Sequence, residues 1–338
     1  MAHSLTHPYA ARVTGTGSAF PEKRLTNHDF PASLQTSDEW IRERTGILER
    51  RIANPKNNSE FNSSLGLIAS RRALEMAGKT PSDVDAILYC TCTPDTLLPS
   101  TSCWLQMKLG ATRAWALDLH AACSGFVYGL TLADQIVKTG FAKTVLVIGS
   151  EVLSSLINWE DRTTCILLGD GGGAVVVEQV PSNSTRKILS SHLHCDGNLW
   201  ELFHIPAGGS NVPVTSEVLE NKLNKTQMKG KELFKVAVKT LCDFATKALE
   251  HNQLKCEDLD WFIPHQANLR IIEAVAKRLN VPMKKVITNI DRFANTSSAT
   301  VPTALDEAVR DGRVQPGHTV LIDVFGAGLT YGSLLLKW

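Results

Sequence analysis

The chain has 338 residues, 43% of them hydrophobic, with 35 basic and 34 acidic side chains and a net charge of +1. That length allows two domains or one large α/β unit with an ample core. The even balance argues against nucleic acid as the main partner, because no basic excess exists to neutralise phosphates, and no run approaches the ~18 apolar residues of a membrane span.

At the N-terminus, MAHSLTHPYAARV lacks the basic start and the continuous apolar stretch of a signal peptide. The eight cysteines form no CxxC pairs and no small disulfide framework. A soluble cytoplasmic protein with free thiols is expected. A helix beginning ALE at Ala73 leads into AILYCTC (86–92), WALDL (115–119) and TVLVIG (144–149), near-continuous β-rich runs of the kind buried on both faces of a sheet. Between the last two, SGFVYGLTLADQIVKTG (124–140) reads as a helix with Phe126, Leu130, Ala133 and Val137 on one stripe and a stop at Gly140.

GDGGGAVVVE (169–178) could pass for a phosphate loop, but it lacks the GxxxxGK[ST] lysine, and close strand packing accounts for its glycines equally well. SHLHCDG (191–197) offers His192, His194 and Cys195 without a second ligand pair at zinc-like spacing, so no metal is expected. Further on, Lys231, Lys235 and Lys239 make a basic row at i, i+4 spacing. FIPH ends an apolar strand at His265, and QANLRIIEAVAKRL (266–279) reads as the helix it opens, with an apolar face of Ile271, Ile272, Val275 and Leu279. Arg270, Lys277 and Arg278 lie on that helix, as a solvated charged face or a docking surface.

The chain repeats itself. DVDAILYC (83–90) resembles DLDWFIPH (258–265), and TVLVIGS (144–150) resembles TVLIDVF (319–325), both at an offset of 175. LADQIVKTG (132–140) corresponds to ALDEAVRDG (304–312) at 172, as though loops absorb three residues. Two similar halves, 1–180 and 181–338, follow, each reading helix, strand, strand, helix, strand. Stacked, they give an α/β/α/β/α body with the active site where the halves meet. At 172 Cys123 maps onto Asn295, and at 175 Cys90 maps onto His265, so Cys123, His265 and Asn295 are expected to converge. Cys123, in DLHAACSGFVYGL, is either a packed core thiol or a nucleophile at a helix N-terminus, where the dipole favours thiolate and backbone amides face an oxyanion. Asn295 either donates to a substrate carbonyl beside His265 or caps the next helix, with Thr296 and Ser297 as competing caps.

ACSGF around Cys123, HQANLRI (265–271), NTSSATVP (295–302) and FGAGLTYG (325–332) resemble the β-ketoacyl-acyl carrier protein synthase III family, initiating condensing enzymes of the thiolase-like fold. SDEWIRERTGI (37–47), DRTTCILLGDGGGAVV (161–176) and KELFKVAV (231–238) extend the resemblance over nearly the whole chain. It implies a cytoplasmic homodimer with a Cys123–His265–Asn295 triad and no cofactor, acyl-CoA being a substrate. Cys123 would take the acyl group and condense it with malonyl-acyl carrier protein, the amides of Cys123 and Ala327 forming the oxyanion hole; many members have glycine at the latter position. Trp40 and Arg162 would sandwich the CoA adenine, with Thr36 and Arg44 nearby and Asn268 on the pantetheine. For Trp40 the alternative is ordinary burial, and for the arginines a solvated surface. The acidic carrier would meet Lys235, Arg270, Lys277 and Arg278. Leu98 lies where some members carry an aromatic that crosses the dimer. A related acyltransferase of a specialised pathway, or a non-catalytic condensing-enzyme partner, remains the alternative; the latter usually lacks the cysteine.

Overall fold

Five strands form one mixed sheet: β1 (Tyr9–Ala19), β2 (Ala86–Cys90), β3 (Trp115–Leu119), β4 (Thr144–Val152) and β5 (Asp170–Pro181), in the order β1-β5-β4-β2-β3. Four more, β6 (Ile188–Cys195), β7 (Trp261–Pro264), β8 (Thr319–Gly326) and β9 (Thr330–Lys337), form a second sheet in the order β7-β8-β9-β6. The structure is a computed structural model that describes residues 7–54 and 56–338. Residues 1–6, part of the stretch read above for a signal sequence, lie outside the described residues.

Helices cover both sheets. The helices α1 (Asp38–Thr45), α2 (Asn62–Ala77), α3 (Thr101–Leu109) and α4 (Gly125–Lys138) come from the first half of the chain. The second half supplies α5 (Gly230–His251), α6 (Leu269–Arg278) and α7 (Thr300–Arg310). α2 and α3 pack on the outer face of the first sheet, α5 and α6 on the outer side of the second, and α4 and α7 lie between the sheets. This is the five-layered α/β/α/β/α thiolase-like arrangement. The stripe Phe126, Leu130, Ala133 and Val137 is fully buried in the central layer, together with Val301, Ala304, Leu305 and Ala308 of α7. Burial of each large apolar side chain stabilises this layer by about 1.5–3 kcal/mol.

The offset of 175 is a structural register. Ile87 pairs with Leu146 in the first sheet, and Phe262, 175 positions later, pairs with Leu321 in the second. Both pairings are parallel. The order helix, strand, strand, helix, strand does not hold in the second half. Where a counterpart of β3 would fall, the chain makes a single bridge between Phe262 and Val286. The three-residue slip is shared between helix and loop. α4 has 14 residues and α7 has 11, so the helix is shortened and the connection after it is longer. Gly171, Gly172 and Gly173 of GDGGGAVVVE lie in β5, where a Cβ on Gly173 would stand 2.7 Å from Pro302 Cβ at the start of α7. Bare backbone at 173 allows close packing of the central layer on the sheet, and at 172 of Leu65 of α2 on its outer face.

Candidate active site

β3 ends at Leu119, and the chain reaches α4 through a single tight turn, Ala122–Ser124. Ala122 adopts φ 46°, a left-handed conformation that is strained for alanine and directs the next residue sharply. That residue is Cys123, whose side chain is buried. Gly326, at the end of β8, packs on this turn: a Cβ there would lie 2.8 Å from Cys123 N and 2.9 Å from Ser124 N. Bare backbone at 326 therefore lets the two halves touch, and it brings the Ala327 amide to the thiol.

The thiol is not the resting thiolate expected from its helix-start position. Burial pushes its pKa up to about 11. The Ser297 hydroxyl pulls it down, the Glu151 carboxylate pushes it further up, and the amides of Cys123 and Ala327 pull it down again. Desolvation outweighs the helix end. A helix can be read in the sequence, whereas the depth of its first turn cannot.

His265 follows β7 directly. Its backbone N–H donates to Asp323 O at 2.8 Å, and its Nδ1 meets Thr300 Oγ1 at 2.7 Å. The ring is buried, which drives its pKa down to about 3, so it is neutral. α6 does not begin at Gln266 as expected. Gln266 is buried and ties the loop down, its Nε2 donating to Pro264 O at 2.6 Å, and the helix starts only at Leu269. Asn268 is its N-cap, accepting from Arg270 N at 2.9 Å while its Nδ2 donates to Arg44 O at 3.0 Å.

Asn295 is held from three sides. Its N–H donates to Leu167 O at 2.9 Å, its carbonyl accepts from Gly169 N at 3.0 Å, and its Oδ1 accepts from Ser297 N at 2.8 Å. The local cap and the inward position therefore coexist, since Oδ1 serves the turn and Nδ2 remains for another partner. The expected equivalence of Cys123 with Asn295 is overturned. Turn Ala122–Ser124 matches turn Ser297–Ala299, with positive φ at Ala122 and at Ser297 (52°), so the counterpart of Cys123 is Ser298, at 175. Asn295 reaches the site from just before that second turn.

Cys123, His265 and Asn295 nevertheless line one cavity of about 180 Å³, together with Ala327. Its walls are largely apolar, including Phe203, Leu233, Phe234 and Ile271, and Asn268 lines it as well. A second cavity of about 890 Å³ shares Cys123, Asn295 and Ala327, and extends past Leu153, Leu156 and Ile205. The thiol thus stands where two compartments meet. A nucleophile so placed can receive an acyl group on one side while a second reactant enters from the other.

Around Asn268 the other expected contacts form a continuous patch. Arg44 and Arg162 hold their guanidinium carbons 4.7 Å and 5.1 Å from the Trp40 ring centre, and Arg162 Nη1 donates to Gln35 O at 2.6 Å. An inserted aromatic base needs about 7 Å, two van der Waals contacts, so Arg162 must swing outward to admit one. Thr36 is half-buried, and among the described residues its Oγ1 has no hydrogen-bond partner. Lys235, Arg270, Lys277 and Arg278 are all exposed. Lys235 and Arg270 adjoin the cavity-lining Phe234 and Ile271, and Lys277 and Arg278 lie about 10 Å farther along α6. His192 packs against His251 at 5.1 Å and His194 against Tyr331 at 5.3 Å. Among the described residues, no three His, Cys, Asp or Glu side chains converge as metal ligands.

Sequence reasoning missed three residues. Thr300 contacts His265, Ser297 lies beside the thiol, and buried Glu151 accepts from Thr91 Oγ1 at 2.9 Å, Thr93 Oγ1 at 2.6 Å and Ser298 Oγ at 3.0 Å. Ser297 and Thr300 lie inside the motif NTSSATVP, though without a sign of these contacts, and Glu151 is an acid at the end of the apolar strand TVLVIGSEV.

Two family models match the chain: 3-oxoacyl-[acyl-carrier-protein] synthase III over residues 117–197 and the C-terminal part of 3-oxoacyl-[acyl-carrier-protein] synthase III over residues 249–338. The β-ketoacyl-[acyl-carrier-protein] synthase III of Thioalkalivibrio sulfidiphilus is 49% identical over 328 residues, covering 97% of this chain and 99% of that protein. The protein of the same name from Xanthomonas campestris pv. campestris is 51% identical, covering 97% and 98%. Among solved structures, 3-oxoacyl-[acyl-carrier-protein] synthase III from Aquifex aeolicus VF5 superimposes with a TM-score of 0.88 at 43% identity, covering 97% of this chain and 100% of that one.

Proposed function

The chain belongs to the 3-oxoacyl-[acyl-carrier-protein] synthase III family, whose members are the initiating condensing enzymes of fatty-acid synthesis, and we propose that Cys123, His265 and Asn295 carry that reaction in it. The enzyme is an acyltransferase that joins an acyl primer to a malonyl unit with loss of CO2. The observation that carries the assignment is the meeting of these three side chains with the amides of Cys123 and Ala327 around one cavity.

Cys123 passes its proton to His265 and attacks the thioester of acyl-CoA. The two amides hold the oxyanion, and CoA leaves as the thiol. Malonyl-acyl carrier protein then docks, and its malonyl thioester enters the emptied cavity. Its carboxylate departs as CO2, and the electron pair left behind attacks the acyl-cysteine. Asn295 Nδ2 stabilises the charge that grows on the malonyl thioester oxygen, so it acts on the barrier more than on binding. The half 1–180 thus supplies the nucleophile, and the half 181–338 the groups that stabilise the second reactant. No cofactor takes part.

Thr36, Trp40, Arg44, Arg162 and Asn268 form the CoA site at the cavity mouth. Their contiguity through the Asn268–Arg44 contact supports that reading. Lys235 and Arg270 flank the mouth and receive the acidic carrier, with Lys277 and Arg278 extending the basic face. The functional unit is a cytoplasmic homodimer. β3 is an edge strand with an open ladder for a second copy, and Leu97 and Leu98 nearby are 89% and 87% exposed, as suits side chains covered by a partner. No helix among the described residues is long and apolar enough to cross a membrane.

The test is a condensation assay with a panel of acyl-CoAs and malonyl-acyl carrier protein. CO2 and a 3-oxoacyl-carrier product should form together. Acyl transfer to the carrier without CO2 release would overturn the reading.

A further inference from the structure

We propose that Thr300 is a positioning residue that holds His265 as the Nδ1–H tautomer, so that the histidine serves as base in acyl transfer and becomes a donor in condensation only by taking up the proton that condensation consumes. The inference rests on the reading of Cys123, His265 and Asn295 above and specifies how one histidine divides two half-reactions.

The argument is a count of protons. Thr300 Oγ1 lies 2.7 Å from His265 Nδ1 and 3.0 Å from the carbonyl oxygen of Ser297. A carbonyl has no proton to give, and a hydroxyl has one. The Thr300 hydroxyl therefore donates to Ser297 O and accepts from His265 Nδ1–H. In a neutral imidazole only one nitrogen is protonated, and the bond made at one sets the state of the other. Nε2 then carries a lone pair, and it is the ring nitrogen left for the cavity that His265 shares with Cys123. Thr300 and His265 are both buried, so water does not compete freely for this contact.

A lone pair at Nε2 suits the first half-reaction. It takes the Cys123 proton, the thiolate forms its bond to the acyl carbon, and the C–S bond to CoA breaks. The departing CoA thiolate takes the proton from Nε2, and His265 returns to neutral. The same lone pair opposes the second half-reaction, because it would face the oxygen on which enolate charge grows. Condensation resolves the conflict by its own balance. The malonyl carboxylate leaves as CO2, its electron pair forms the new C–C bond, and the acyl–S bond breaks to leave Cys123 as thiolate. One proton from solvent must restore the thiol. If that proton resides on Nε2 from the start, His265 is an imidazolium that donates to the enolate oxygen and then hands the proton to Cys123. Burial disfavours this charge in the free protein, and the bound malonyl carboxylate supplies the opposite charge that favours it.

The experiment pairs a spectroscopic and a kinetic readout on the full-length protein. With nitrogen-15 in histidine, NMR of wild type at pH 7 should show His265 protonated at Nδ1 and bare at Nε2. Thr300→Val, close in shape and lacking the hydroxyl, should switch it to Nε2–H. Its acyl transfer from acyl-CoA should fall at least tenfold more than its decarboxylation of malonyl-carrier protein; a histidine held in the wrong tautomer has cost about 10⁴-fold in a serine protease. Wild-type decarboxylation should decline as pH rises, and that dependence should flatten in Thr300→Val. Thr300→Ser should restore the wild-type tautomer and both rates. An Nε2–H tautomer in wild type overturns the proposal, as does an equal loss in both half-reactions with an unchanged pH profile. Absence of any acyl-cysteine in wild type would instead sink the underlying assignment, and the NMR readout would still report the tautomer.

Discussion

Two turns in this molecule are built alike and do different things. Each admits the chain to a central helix, and they pack against one another between the sheets. Ala121 (φ −139°, ψ 31°) corresponds to Thr296 (−99°, 27°), Ala122 (φ 46°) to Ser297 (52°), and Ser124 (−83°, −9°) to Ala299 (−79°, −14°). The residues at the apex are Cys123 and Ser298. Cys123 lines two cavities. Ser298 is sealed in, its hydroxyl 2.9 Å from the Cys90 carbonyl and 3.0 Å from Glu151 Oε1. A strained turn at a helix N-terminus is therefore a scaffold. What sets Cys123 apart is the space in front of it and the groups that the other half sends into that space.

The largest effect that tests this contrast is on decarboxylation. Asn295→Ala should slow loss of CO2 from malonyl-carrier protein by about 100- to 1000-fold, the usual consequence of removing one oxyanion donor. Formation of the acyl-cysteine should persist, because the amides of Cys123 and Ala327 remain. Decarboxylation at the wild-type rate would reduce Asn295 to its contact with Ser297 N.

The next concerns the resting thiol. Alkylation by iodoacetamide follows the thiolate, whose fraction rises tenfold per pH unit below the pKa. With Cys123 held near 11 by burial, labelling in the absence of substrate should keep rising between pH 8 and 9.5, where a cysteine in an unstructured peptide levels off near 8.5. A plateau below pH 8 would mean that the helix end wins after all.

The smallest effect belongs to the silent twin. Ser298→Ala removes a buried hydroxyl whose single proton is shared between Cys90 O and Glu151 Oε1 and should lower stability by about 1–3 kcal/mol in denaturant unfolding. Acylation of Cys123 should change by no more than a few-fold. A loss as large as that of Asn295→Ala would show that the two turns share the chemistry.

Much of this contrast was legible in the sequence. The recurrence of DVDAILYC in DLDWFIPH and of TVLVIGS in TVLIDVF announced two stacked α/β halves, because buried central strands repeat as apolar runs. ACSGF, HQAN and NTSSATVP hold the three residues that the fold brings to one cavity. The twin of Cys123 was misassigned because the 172 offset came from the far end of a helix that had lost three residues, while its start kept 175. The missing counterpart of β3 has no apolar run of its own: the stretch around Val286, PMKKVI, carries two lysines and makes only the single bridge to Phe262. Charge states were the least legible. The high thiol pKa and the neutral histidine arise from burial, and the Nδ1 partner of His265, Thr300, lies 35 residues away.

The central claim is that Cys123 alone carries the acyl group. Intact mass followed by peptide mapping after exposure to acyl-CoA tests it most directly. Wild type should gain one acyl mass on the peptide containing Cys123, and Cys123→Ala should gain none while unfolding at a similar temperature. An adduct on Cys90, Cys92 or Ser298, or an undiminished yield in Cys123→Ala, would contradict the account.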